Sequence, residues 1–278
     1  MQLSSESDPS EQTVALSVVI PAFNEHGRLG QCLSAWRDWL SQQQAASDAD
    51  DTSEQSTGNE SAQYLPAELL VVDDGSTDGT ANLARDFDAS PASVRVLVNE
   101  QNLGKGASVR RGMRASRGRI ALLSDADLNV PAEELPSLVE ALEAGYDMAI
   151  GSRLVTSANV KRPMIRRFTS WLFYVLRGIL LLPDLRDTQC GFKAFRQAAA
   201  QTIFAEQTLD GYGFDLEILA IARRHGYTIK EVPVQWLVRE GSKVRPVRDG
   251  LGLLRDVIRV RRKWGRGSLP ASTNRLQT

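Results

Sequence analysis

Short apolar runs alternate along this chain with stretches of helical period. Leu16-Ser-Val-Val-Ile20, Glu68-Leu-Leu-Val-Val-Asp73, Val94 to Val98, Ile120 to Leu123 and Asp147-Met-Ala-Ile-Gly-Ser-Arg153 read as buried strands. Between them, apolar residues recur three and four apart. Leu29, Cys32, Leu33, Trp36 and Leu40 mark the first amphipathic helix, because that spacing puts them on one face. Further helices are predicted from Thr80 to Phe87, from Gly104-Lys-Gly106 through Ala115, and from Glu133 to Ala144. Strands alternating with helices predict an α/β domain with a mostly parallel, doubly wound sheet. Right-handed crossovers then bring the loops after the strands to one edge.

Two stretches depart from that rhythm. Ser41 to Ala62 is rich in Gln, Ser, Thr, Asp and Glu and nearly free of large apolar residues. It reads as an inserted loop, with residues 41–66 taken as a flexible insert. After Arg153 the alternation breaks into a basic cluster, Lys161, Arg162, Arg166 and Arg167, and then an apolar stretch, Phe168 to Leu182. A helix from Gly213 to Arg223, a strand from Tyr227 to Val234 and a last helix from Val247 to Trp264 follow. Residues 1–15 and 265–278 are polar and read as disordered.

The length, 278 residues, suits one large domain or a domain with a small appendage. A net charge of -1 gives no pull on nucleic acid. Cys32 and Cys190 lack zinc spacing and read as two reduced thiols in a cytosolic protein. The polar, acidic start from Met1 to Thr13 is not a signal peptide. Phe168 to Leu182 is too short to span a bilayer and carries Arg177.

The candidate chemistry lies at strand ends. Asp125, Asp127 and Asn129 follow the Ile120 strand at intervals of two, and in extended backbone such residues share a face. Two carboxylates and an amide oxygen suit a divalent cation that keeps its waters and grips a diphosphate. The plainer reading is a polar turn before a helix that starts at Pro131, Glu133 and Glu134. Three more strand-end loops hold acids or amides: Asn24-Glu25, Asp73-Asp74, and Asn102 with Gly104-Lys105-Gly106. No Gly-x-x-x-x-Gly-Lys-Ser/Thr and no Gly-x-Gly-x-x-Gly occurs, which disfavours a P-loop kinase and a dinucleotide enzyme. His26 and His225 read as surface residues at helix ends.

Val18-Val-Ile-Pro-Ala-Phe-Asn-Glu25, Val71-Val-Asp-Asp-Gly-Ser-Thr-Asp78, Asn102-Leu-Gly-Lys-Gly106 and Asp125-Ala-Asp127 together resemble the family-two glycosyltransferases of the GT-A fold. Asp187-Thr-Gln-Cys-Gly-Phe-Lys193, Phe214-Asp-Leu-Glu217 and Arg239-Glu-Gly-Ser-Lys243 look like the polyprenyl-phosphate monosaccharide synthases, nearest the dolichyl-phosphate glucosyltransferases. The resemblance covers residues 16–264. It implies an inverting transfer of a hexose, glucose from UDP-glucose, to a dolichyl or polyprenyl phosphate. GDP-mannose as donor is the alternative within the class, and a catalytically silent nucleotide-sugar-binding protein the alternative outside it.

The resemblance also implies roles. Pro21, Ala22, Glu25 and Asp73 lie at the base and ribose, and Lys105 and Asp125 in the donor site. Asp125 and Asp127 hold Mg2+ or Mn2+ on the diphosphate, with Asn129 as a further ligand where mannosyl relatives usually carry Gln. Asp127, Arg153, Arg239 and Lys243 are the catalytic set. Arg162, Arg166, Arg167 and Lys193 are candidates for the acceptor phosphate. Residues 161–182 suit a membrane-interface segment, with a core helix packed on the sheet or half of a dimer interface as the competing reading, and the protein is expected at the cytoplasmic face of a membrane as a peripheral protein.

Overall fold

The computed structural model describes residues 14–50, 63–153, 184–237 and 246–264. Among them are seven strands in one sheet: β1 (Leu16–Ala22), β2 (Ala67–Asp73), β3 (Ser93–Val98), β4 (Ile120–Ser124), β5 (Met148–Ser152), β6 (Phe192–Arg196) and β7 (Ile229–Pro233). Their order is β3-β2-β1-β4-β6-β5-β7. β1 pairs in parallel with β2 and with β4, and β2 with β3. β6 runs antiparallel between β4 and β5, and β5 pairs in parallel with β7.

The continuous apolar runs follow from this placement. β1, β2, β4 and β5 are buried at every residue, as inner strands covered on both faces must be. Successive side chains go to opposite faces. Val18, Ile20, Leu69 and Val71 join a core with helix α1 (His26–Asp50), α2 (Thr80–Asp86) and α4 (Leu135–Glu143). Val19, Leu70 and Val72 join a second core with α3 (Lys105–Ala115), α5 (Gln197–Glu206), α6 (Phe214–Arg224) and α7 (Pro246–Trp264).

The chain leaves β1 toward β2 on one side and reaches β4 on the other. The strand order therefore reverses between β1 and β4, and the crevice at such a switch point is where open α/β sheets bind ligands. The opposite end is locked by Glu68, which is 1% exposed. It accepts from Ser17 Oγ, Arg95 Nη1 and the Arg117 amide. Burial pushes its pKa up, but those hydrogen bonds, Ser17 first, bring it below the ordinary carboxylate range.

Two expectations are corrected. Ser41–Asp50 is not a loop: α1 continues through it to Asp50. No side chain from Ser41 to Ala49 is buried, so the helix carries no apolar stripe there, while Gln and Ala still favour helix. Residues 51–62 lie outside the described residues. After them Tyr64 is buried and meets Trp39 at 5.0 Å between ring centroids, so the end of the predicted insert belongs to the core. The second correction is β6, in a segment not read as a strand. Its second residue, Lys193, is fully buried, and a lysine hides an inner strand from any apolar pattern.

Residues 1–13, the segment 161–182 and the tail 265–278 lie outside the described residues, as do Arg162, Arg166, Arg167, Arg239 and Lys243. Among the described residues no helix is long and apolar enough to cross a membrane.

Candidate active site

The four strand-end loops are stitched together in sequence order. The Asn24 amide donates to Ser76 Oγ at 2.8 Å, and the Thr77 amide returns to Asn24 Oδ1 at 2.9 Å. Asp74 holds the third loop, accepting from Asn99 Nδ2, from the Leu103 amide at 3.0 Å and from the Gly104 amide at 2.8 Å. Lys105 Nζ then reaches Asp125 Oδ1 at 2.7 Å in the fourth. The expected adjacency of these loops is therefore met by direct contacts.

Asp74 and Asp73 have different tasks. Asp74 is occupied by the loop it organises. Asp73, 1% exposed, accepts from the Ser76 amide through Oδ2, while its Oδ1 has no hydrogen-bond partner among the described residues. A buried carboxylate oxygen without a donor is costly unless a ligand supplies one. Pro21 and Ala22 are the buried last residues of β1. Glu25 is held by Arg28 in a two-point pair, Nε to Oε2 at 2.8 Å and Nη2 to Oε1 at 3.0 Å. That partner was not foreseen, although its spacing of three along a helix is a legible signal.

The amides of Gly104 and Gly106 are both taken within the protein. The Gly106 amide donates to the Asp210 carbonyl at 2.7 Å. A Cβ on Gly106 would lie 2.2 Å from the Leu209 carbonyl oxygen. The glycine is required so that the start of α3 can lie against residues 209–211, which lead into α6.

Asp125, Asp127 and Asn129 line one small cavity of about 10 Å³, with Ser124, Gly191, Phe192 and Trp236 among its other walls. A space of that size is at the lower limit for one water. The three converge through a turn, not through strand alternation. The Leu128 amide bonds back to the Asp125 carbonyl, and Leu128 has φ 52°. Leu128 and Asn24 are the two positive-φ residues other than glycine among the described residues. Both sit in these loops, and such strain, about 1–3 kcal/mol, persists where surrounding structure enforces it.

Burial and the charge of Asp125 push the Asp127 carboxyl above its usual range. Asn129 Nδ2 donates to Asp127 Oδ2, which leaves Asn129 Oδ1 buried without a partner among the described residues. No cluster of three or more His, Cys, Asp or Glu side chains suited to a metal occurs among the described residues. Two carboxylates with an orphaned amide oxygen fit Mg2+ or Mn2+, which take few protein ligands when a diphosphate and water complete the shell.

The antiparallel β6 brings its amino end to this edge. Gly191 presses on Asp125 so closely that a Cβ would stand 2.0 Å from Asp125 Oδ2 and 2.3 Å from Cγ. Gly191→Ala must therefore turn the carboxylate aside. Asp125 is 27% exposed and has room to turn, so turnover should fall about tenfold, less than a rigid 1 Å misplacement costs. Steady-state rates against Mn2+ concentration check this; an unchanged activation curve would show that the contact does not position Asp125.

Arg153 extends from the end of β5. Its Nε and Nη2 grip Asp187 at 2.6 and 2.8 Å, and its guanidinium lies 4.8 Å from the Trp236 ring centre. Burial works against ionised Asp187, yet the Arg153 fork outweighs it and keeps that carboxyl below the ordinary range. Leu237 donates its amide to the Asn129 carbonyl at 2.8 Å, so the described chain after β7 ends beside the acidic loop. Arg239 is two residues further on.

Lys193 is corrected as an acceptor-phosphate candidate. It is fully buried, and its ammonium donates to Asp215 Oδ1 and to the Cys190 carbonyl. It faces no ligand. Asp215 is thus the buried partner of Lys193. Glu217 accepts from the Thr208 and Leu209 amides and from Trp264 Nε1. His26 is exposed at the start of α1, and His225 sits at the end of α6 beside Glu206. Cys32 and Cys190 are buried and form no disulfide among the described residues, and burial pushes the Cys190 thiol up to about 11.

The model of the family described as "Glycosyl transferase family 2" matches residues 17–204. The dolichyl-phosphate beta-glucosyltransferase of Dictyostelium discoideum is 32% identical over 260 residues, covering 90% of this chain and 75% of that protein. The human protein of the same name is 33% identical over 270 residues, covering 92% and 78%. Among solved structures, glucosyl-3-phosphoglycerate synthase from Mycobacterium tuberculosis, in complex with UDP, superposes with a TM-score of 0.61 at 22% identity, covering 90% of this chain and 80% of that one. At that identity the likeness is one of fold. The family match takes in β1 through β6 and every strand-end loop described above, and the chain belongs to glycosyl transferase family 2, as a glycosyltransferase of the GT-A fold.

Proposed function

We propose that this chain transfers glucose from UDP-glucose to the phosphate of dolichol or a related polyprenol, with inversion at the sugar. The observation that carries this reading is the convergence of Asp125, Asp127 and Asn129 on one cavity at the switch point, in a chain whose relatives are named dolichyl-phosphate beta-glucosyltransferases. A β product from an α-linked nucleotide sugar requires inversion.

Asp73, with one carboxylate oxygen unpartnered among the described residues, accepts from the nucleoside, next to Pro21, Ala22 and Glu25. Asp125, Asp127 and Asn129 hold Mg2+ or Mn2+. That ion, when bound, neutralises the charge that grows on the leaving diphosphate. The acceptor phosphate has a second pKa of about 6 and is already largely dianionic at neutral pH, so no strong base is needed. The obstacle is bringing one anion to another. Arg153, held at the site by Asp187, is the described cation for that task. Arg239 and Lys243 belong to the proposal through the sequence resemblance, and Arg239 follows the residue that touches Asn129 by two. Arg162, Arg166 and Arg167, with the apolar residues to 182, would meet the lipid at the cytoplasmic face of a membrane, where a polyprenol keeps its phosphate.

The test is incubation of the full chain with polyprenyl phosphate, Mg2+ or Mn2+, and labelled UDP-glucose or GDP-mannose, followed by solvent extraction and mass measurement of the lipid. Glucose on the lipid is expected. Transfer from GDP-mannose alone would make the chain a mannosyltransferase. Nucleotide binding with no lipid product from either donor would make it a silent binding protein.

A further inference from the structure

Lys105 stands where helix physics disfavours a cation. It is the first residue of α3, at the positive end of the helix dipole, and no acid lies in the first turn. Its ammonium is 2.7 Å from Asp125 Oδ1. The charge of Asp215 acts on the same ammonium, and together the two acids outweigh the burial that opposes its ionisation. Asp215 is itself fixed from behind by fully buried Lys193. The positions of Lys105 and Asp215 are set by one joint, the Gly106 amide on the Asp210 carbonyl, which ties the start of α3 to the turn before α6. Charges therefore alternate inward from the cavity: Asp125, Lys105, Asp215, Lys193.

We infer that Lys105 is a resident counter-ion for Asp125 that a divalent cation must displace, and that this exchange couples cation binding to diphosphate binding. The inference rests on the metal and diphosphate reading above. Without a nucleotide, the ammonium neutralises Asp125 and competes with the incoming cation. A diphosphate offers the ammonium another anion within reach of the same side chain, so Asp125 is released as the cation arrives. Each ligand then strengthens the other, and linkage requires the effect to be equal in both directions. Lys105 is a positioning residue for this exchange; Asp215 and Lys193 hold it in place.

The experiment measures Mn2+ affinity by electron paramagnetic resonance of free Mn2+, with and without UDP, for the wild type and for Lys105→Met. The readout is the ratio of the two affinities. In the wild type UDP should tighten Mn2+ binding. In Lys105→Met, Mn2+ alone should bind about fivefold tighter, the scale of one partly exposed ion pair. Because that gain is absent once UDP is present, the ratio should shrink by a similar factor. A cation that acts only at a distance would shift both affinities together and leave the ratio unchanged, and so would a purely structural role. An unchanged ratio in a folded Lys105→Met protein overturns the inference. If that variant does not fold, Lys105→Gln decides in the same way. A wild type that binds no Mn2+ even with UDP overturns the metal reading itself, and the inference with it.

Discussion

Asp127→Asn should lower turnover by about 10²-fold or more, the scale at which an electrostatic contact to a developing charge is lost. The fold should survive. Asp127 is half-buried, and both burial and neighbouring Asp125 already disfavour its charge, which is why its pKa lies above the usual carboxylate range. Asparagine keeps the shape and removes that repulsion. Its thermal midpoint should equal or exceed that of the wild type. Two measurements check this: initial rates at saturating donor, and the rise in melting temperature that Mn2+ produces with UDP. The rise should vanish in the variant. Turnover near the wild-type value would remove Asp127 from the metal site.

Lys193→Met addresses the fold. Lys193 is fully buried and Asp215 nearly so, with the ammonium bonded to Oδ1 and to the Cys190 carbonyl. Taking one partner from a buried pair costs about 3–5 kcal/mol, because the other charge loses its bonded counter-ion; Asp215 keeps only the more distant pull of Lys105. For a chain of this size that is a fall in melting temperature on the order of 10 °C. Burial already pushes Asp215 above the ordinary range, with Lys193 and Lys105 pulling it back only in part. Without Lys193 its folded pKa rises further above the unfolded value. A protonated Asp215 needs no counter-ion, so the loss should be fully present above that raised pKa and shrink as pH falls through it. Urea unfolding at several pH values measures this. Adding Asp215→Leu should recover much of the loss, since neither charge is then stranded. A pH-independent loss under 1 kcal/mol would mean that the pair contributes little.

Much of the fold was legible because both core faces must be filled. β1, β2, β4 and β5 are inner strands, and their unbroken apolar runs announce it. The strand-end acids were legible for a related reason: a polar group directly after a buried run marks the sheet edge where ligands bind. Burial alone defeated the reading elsewhere. Lys193 sits in an inner strand because Asp215 neutralises it, and no pattern of apolar residues can show a partner 22 positions away. The end of α1 failed for the opposite reason, since a helix with no buried side chain leaves no stripe to read.

By itself, then, the sequence determined the alternation of strands and helices, the crevice at the strand ends, the order of the four loops and the family to which they belong. Those are properties of local spacing and of residue types that follow one another in the chain. The tertiary structure decided which of those residues are free to act. It committed Asp74 to the Leu103 and Gly104 amides and left Asp73 Oδ1 without a partner among the described residues. It turned Lys193 inward, set Gly191 against Asp125, and paired Lys105 with Asp125 in the field of Asp215. Each depends on which distant segment lies beside the residue, and long-range packing alone fixes that.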